Sequence, residues 1–331
     1  MTKVADRPAF SGRRTNLALL TVLVAAFISG LVAQALGAAS TRWVLVIHGV
    51  FGITVLLISP WKTRVVDRGL GRRNRGRALS LVLALLAIVV LMTGVVHTTG
   101  LMTRVGPVTV LWLHVGSALG LIPILIWHYV ARKTYPRRVD LSRRSLLRLG
   151  GMVSASWGMW LLADRAITAF GLRGGERRFT GSHELSSFVP AGVPVTSWLD
   201  DRTPGVDADA WRLELTDDTG SRSLTLAELL ALPRKSFVAS LDCTSGWWSA
   251  QVWEGTTVAS LIDAAQARSI VVRSLTGYSR SYPASYAEQL WVVTGMGGEP
   301  LSPGHGFPAR IVSSDQRGFW WVKWVTAIET S

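Results

Sequence analysis

Ala78-Leu79-Ser80-Leu81-Val82-Leu83-Ala84-Leu85-Leu86-Ala87-Ile88-Val89-Val90-Leu91-Met92-Thr93-Gly94-Val95-Val96-His97-Thr98 contains no Asp, Glu, Lys or Arg. A helix of that length, at about 1.5 Å per residue, is about 30 Å long, which is the thickness of a bilayer's hydrocarbon core. Three more stretches of the same kind lie at 16–36, 43–61 and 108–131. Together they predict a transmembrane helix bundle over the first 133 residues.

Basic residues punctuate these stretches unevenly. Eighteen Lys and Arg lie before the first span, between the second and third, and after the fourth. Only Arg42 and Arg104 lie on the other side. Cytoplasmic loops carry the excess of positive charge, so the N-terminus is placed in the cytoplasm of a multi-pass protein of the cell membrane.

The whole chain of 331 residues carries a net charge of +14, which on its own suggests nucleic acid. The distribution excludes that partner, because residues 1–178 carry +19 and residues 179–331 carry −5. A nucleic-acid footprint is a basic face on a folded soluble surface, not charge set between apolar spans. A single cysteine, Cys243, excludes a disulfide scaffold, and 49% hydrophobic residues exclude a disordered chain. The chain reads as multi-domain: an all-α membrane half, then a slightly acidic α+β half.

His48, His97, His114 and His128 lie in or at the ends of the spans. Ionisable residues there suggest function, and neutral imidazole is a haem-iron ligand. The second and fourth spans run in the same direction, which puts His48 and His114 each about 8–9 Å below the outer boundary. Two axial ligands at one depth predict a b-type haem, with His97 a reserve ligand or quinone-site residue. The alternative is that these histidines are polar contacts between helices. The domain resembles the helical cytochrome b membrane domains that exchange electrons with the quinone pool.

A shorter apolar segment follows at 149–163, preceded by Ser142-Arg143-Arg144-Ser145-Leu146-Leu147-Arg148. This resembles a twin-arginine export signal retained as a fifth transmembrane helix, the alternative being a plain basic flank. Both place the remainder outside the cytoplasm. Strands are predicted at 211–216, 237–241, 270–274, 290–294 and 320–328. Helices are predicted at 225–231 and 257–267, each opened by a capping Thr.

Within that half, Leu241-Asp242-Cys243-Thr244-Ser245-Gly246-Trp247 and Trp253-Glu254-Gly255 resemble the metal-binding segment of the sulfite oxidase family of molybdopterin enzymes. Tyr278-Ser279-Arg280-Ser281-Tyr282-Pro283 resembles that family's active-site segment. His305-Gly306-Phe307-Pro308-Ala309-Arg310 and Gly318-Phe319-Trp320-Trp321-Val322-Lys323-Trp324 follow in the family's order. The resemblance covers about residues 205–330.

It implies that Cys243 is the molybdenum ligand, consistent with thiolate being a soft donor. It further implies that His305, Arg310 and Lys323 hold the pterin, that Tyr278 presents a hydroxyl beside the metal, and that Ser281 touches the pterin. The Asn and Arg that follow the cysteine in sulfite-oxidising members are missing here. The Cys-x-x-x-Trp pattern looks more like the methionine-sulfoxide-reducing branch.

The expected organisation is a cytoplasmic tail at 1–15, a haem-binding bundle at 16–133, a linker with the fifth helix at 134–175, and a molybdopterin domain at 176–331. The expected protein is an oxidoreductase that transfers an oxygen atom to or from a small substrate such as a sulfoxide. Electrons pass between molybdenum and quinone through haem b. The alternatives are a metal-free binding module and a haem-free enzyme.

Overall fold

The computed structural model describes residues 12–70, 77–131, 135, 137, 140, 142–197 and 201–331, with side chains left aside over 64–70. Much of the predicted tail, and the side chains of the basic runs at 64–75 and 132–133, lie outside the described residues. The chain divides into two compact units, Met1–His183 and Glu184–Ser331.

The first unit is built from five helices: α1 Gly12–Ala35, α2 Arg42–Leu70, α3 Arg77–Thr99, α4 Val110–Ala131 and α5 Arg143–Ala169. A two-residue pair, β1 Arg104–Val105 and β2 Val108–Thr109, joins α3 to α4. Four segments, Gly12–Ala35, Ala39–Thr63, Arg77–Thr99 and Val110–Ala131, are long and apolar enough to cross a membrane. They coincide with the four predicted spans to within a few residues. Helix α1 packs on α2 and α3 packs on α4, giving two helical hairpins. Their apolar side chains remain largely exposed, as lipid-facing surfaces do (Leu85 and Ile88 are examples).

Helix α5 is less apolar than the other four, and its packing explains why. It lies along α2, where Thr54 Oγ1 donates to Ser156 Oγ at 2.8 Å in a buried contact. Gly49 stands so close to Trp160 that a Cβ there would meet the indole at 2.8 Å. Small and hydroxylated residues let helices approach closely in a bilayer, at a cost in hydropathy. Where the chain enters α1, Arg13 donates to both carboxylate oxygens of Asp140 at 3.0 and 2.8 Å, and Arg14 adds a contact at 3.4 Å. The Arg13 hydrogen bonds hold the Asp140 carboxyl well below the usual range, at about 2.

The second unit begins within β3 His183–Glu184. One of its sheets holds β6 Lys235–Cys243, β7 Trp247–Thr257, β10 Leu290–Met296, β11 Glu299–Pro300 and β12 Arg310–Ser313. The other runs in the order β5 Gly220–Thr225, β4 Arg212–Asp217, β13 Val325–Thr330, β8 Ser269–Ser274, β9 Ser279–Pro283. Strand β13 is parallel to β4 and antiparallel to β8. One core gathers Leu213, Leu215, Ile270, Val272, Leu290 and Ile311. A second gathers Trp247, Trp253, Met296, Val312 and Trp321, with Cys243 at its edge.

Helix α6 Leu226–Ala231 forms as predicted. Thr225 and Glu228 make a capping box, in which Glu228 N–H donates to Thr225 Oγ1 and Thr225 N–H donates to Glu228 Oε2. The helix predicted at 257–267 is instead the end of β7 followed by a single 3-10 turn, Val258–Ser260. Val258, Leu261 and Ile262 are all buried in the core. Their i, i+3, i+4 spacing mimics a helical stripe, and β7 claims the capping Thr257. The strand predicted at 320–328 is likewise shorter. Residues 318–320 form a 3-10 turn, and Lys323 lies in the loop before β13.

Candidate functional site

Strands β6 and β7 form a hairpin whose last pair is Cys243 opposite Trp247. Only residues 244–246 connect them. Gly246 adopts φ +94° and donates its N–H to Cys243 O at 3.1 Å. A three-residue hairpin loop needs a left-handed residue there, which accounts for the glycine before Trp247. The thiol of Cys243 is buried, and its Sγ lies 3.1 Å from Ser245 Oγ.

The strand end is pinned from the opposite side. Asp242 and Arg317 make a buried ion pair at 2.6 Å, and Arg317 also donates to Cys243 O at 3.3 Å. The turn that follows Arg317 then serves a second segment. Phe319 O accepts the Tyr278 hydroxyl at 2.5 Å and Arg280 Nε at 3.1 Å, while the buried Tyr282 hydroxyl donates to Trp320 O. Burial raises the Tyr278 phenol above its ordinary value. Arg280 lies over the Tyr278 ring at 4.7 Å.

Two basic side chains and a neutral imidazole converge on the same space. His305 closes the 3-10 turn Pro303–His305; its Nε2 donates to Val193 O at 3.1 Å, leaving Nδ1 to accept from Ser302 Oγ at 2.8 Å. Arg310 opens β12 and is 1% exposed, with Trp253 and Trp321 rings 5.3 and 5.6 Å from its Cζ. It donates to His305 O and Trp321 O, while its Nε finds no partner among the described residues. Lys323 Nζ donates to Thr196 O at 2.8 Å and Gly304 O at 2.6 Å. Burial lowers all three: Arg310 to about 10, Lys323 to about 7 with Arg310 repulsion adding, and His305 below its ordinary value.

Cys243, Tyr278, His305, Arg310 and Lys323 line one cavity of about 90 Å³, walled on one side by Pro194, Thr196 and Ser197. Asp201 is the one carboxylate in its lining among the described residues. Buried positive charge in such excess is costly unless an anion offsets it, and the thiol adds a soft metal donor. The donor set therefore suits an anionic group that carries a soft metal. Five of the six residues singled out in this half by sequence meet here. Ser281 does not: it is exposed on β9, outside the lining. Sequence reasoning missed Ser245, Arg317 and the 193–197 strap, none of which has a spacing that announces a role.

The first unit holds a second arrangement. The rings of His48 on α2 and His114 on α4 stand 5.9 Å apart and nearly perpendicular. Each is latched to the other helix of its own hairpin in the same way. His48 Nδ1 donates to Ala26 O at 2.9 Å, with Ser29 three residues on and Gly30 four residues on packed against the ring. His114 Nδ1 donates to Val90 O at 2.9 Å, with Thr93 and Gly94 at the same offsets. Both rings thus keep Nε2 free of the latch, the tautomer a metal ligand needs. His97 pairs instead with His183, ring centroids 4.9 Å apart, and His183 Nε2 donates to His97 O at 2.7 Å.

Residues 201–331 match the family profile described as oxidoreductase molybdopterin binding domain. Among solved structures, the chain is similar to the sulfane dehydrogenase SoxCD from Paracoccus pantotrophus, at 20% identity and a TM-score of 0.37. That match covers 39% of this chain and 40% of the other, so the chain spans about two fifths of its length. No curated protein matches the sequence. Residues 201–331, which hold the buried cysteine and the basic side chains around it, thus match a molybdopterin-binding oxidoreductase domain, on a chain with four helices of membrane-spanning length.

Proposed function

We propose that this protein is a membrane-bound molybdopterin oxidoreductase that transfers an oxygen atom to or from a small substrate of the sulfoxide type, with its cofactor domain outside the cytoplasm. The observation that carries this reading is the meeting of Cys243, Tyr278, His305, Arg310 and Lys323 around one cavity. Bound there, the molybdenum cofactor supplies two-electron redox chemistry that no side chain provides. Cys243 is the thiolate that holds the metal. Arg310, beside two indoles, and Lys323 would offset the negative charge of the pterin and its phosphate, with the neutral His305 in the same cavity wall.

Tyr278 stays protonated at neutral pH because burial raises its phenol, and its hydrogen is held by Phe319 O. Tyr278 lies in the cavity lining beside Cys243 and Arg310. The test is molybdenum content per chain in the detergent-purified protein beside Cys243→Ser. Near-stoichiometric metal, lost in the variant, supports the reading; no metal from a cofactor-competent host turns it towards a binding module.

Electrons reach the quinone pool, on this reading, through a b-type haem between His48 and His114. The doubled latch supports it: each Nδ1 donates to a backbone carbonyl, which would leave Nε2 of His48 and His114 to hold an iron. The Arg143-Arg144 pair opening α5 serves on this reading as the export signal for the folded domain. Reduced-minus-oxidised optical spectra test the haem. Bands that persist unchanged in a His48→Ala, His114→Ala double variant would sink the ligand assignment.

A further inference from the structure

The hydroxyl of Ser245 lies 3.1 Å from Cys243 Sγ, inside the loop that closes the β6–β7 hairpin. Ser245 is itself buried, at 5% exposed, so bulk water does not compete for this contact. The backbone that carries the hydroxyl is short and anchored at both ends. Its ends are fixed by the Cys243–Trp247 pair and by the Gly246 N–H bond to Cys243 O. Behind it, Arg317 holds both Asp242 and the Cys243 carbonyl. The sulfur and the hydroxyl thus belong to one short turn whose ends are fixed.

A metal-bound thiolate has no proton to give, so in the loaded protein the hydrogen bond runs from Ser245 O–H to sulfur. Hydrogen bonds to ligating sulfur draw electron density from it and weaken its donation to the metal, which favours the reduced metal and raises the potential. We infer that Ser245 is a positioning residue for the molybdenum thiolate, whose hydroxyl bond to Cys243 raises the reduction potential of the metal. The inference rests on Cys243 being the metal ligand.

The test compares wild type, Ser245→Ala and Ser245→Thr as full-length, cofactor-loaded protein in detergent. Molybdenum per chain is measured together with an EPR-monitored redox titration. The expected result is full metal content in Ser245→Ala, with the molybdenum potential shifted to lower values and altered EPR parameters. Ser245→Thr, which keeps the hydroxyl, returns both towards wild type. An unchanged potential at full metal content overturns the inference. Loss of metal from Ser245→Ala also overturns it, in favour of a role in loading. The underlying ligand assignment fails separately, by Cys243→Ser retaining molybdenum with an unaltered signal.

Discussion

Burial beside Arg310 brings the Lys323 ammonium down to about 7, while an unfolded lysine titrates near about 10.4. Between those two values the unfolded chain carries a proton that the folded chain has released. Stability therefore rises with pH across that window. In cofactor-free protein the melting temperature of the second unit is expected to climb from pH 7 to pH 9, and Lys323→Met is expected to flatten that climb. An anionic cofactor beside Lys323 returns the proton and removes the same dependence. The Asp242–Arg317 pair makes a second prediction at this scale. Both side chains are almost fully buried, so Arg317→Met breaks a buried ion pair and is expected to cost about 3–5 kcal/mol, readable by denaturant titration.

Among elements, the α2–α5 contact depends on the absence of a side chain at Gly49, where a Cβ already meets Trp160 at 2.8 Å. Gly49→Leu is expected to part the two helices, and cross-linking between cysteines placed at positions 54 and 156 reports it; persistence of the cross-link refutes the close packing. Thr225→Ala removes one side of the capping box and is expected to cost about 1 kcal/mol. Legibility in the sequence followed periodicity. The four long apolar helices, β8 and the capped helix α6 announced themselves because one physical pattern dominates each. Strand β7 did not, because its inward face carries Ser249 and Gln251, both fully buried, between Trp247 and Trp253. Polar residues on the buried face erase the alternation that identifies a strand. The site was legible where residue type carries chemistry, as in Cys243, Arg310 and Lys323. It was illegible where role depends on folding distant segments together, as in Arg317, His183 and the strap at 193–197.

For the whole molecule, the charge asymmetry of the loops makes an orientation testable without any cofactor. Alkaline phosphatase fused after residue 331 is expected to be active, and fused near residue 74 to be inactive; the reverse pattern refutes the topology. Loading adds a second expectation. A ligand that binds only the folded second unit raises that unit's melting temperature by mass action, and leaves the transition of the helical unit where it was. Two separate transitions, one of them cofactor-sensitive, are the expected calorimetric trace.

The chain's one sulfhydryl sits at the end of β6, buried beside Ser245. With metal on that sulfur, a thiol-reactive dye under denaturing but non-dissociating conditions finds nothing to label. Every labelled chain is then one whose sulfur holds no metal. If Cys243 is the metal ligand, the protein carries an internal gauge of its own loading, read as a single number per chain, and no second cysteine in the sequence blurs the count.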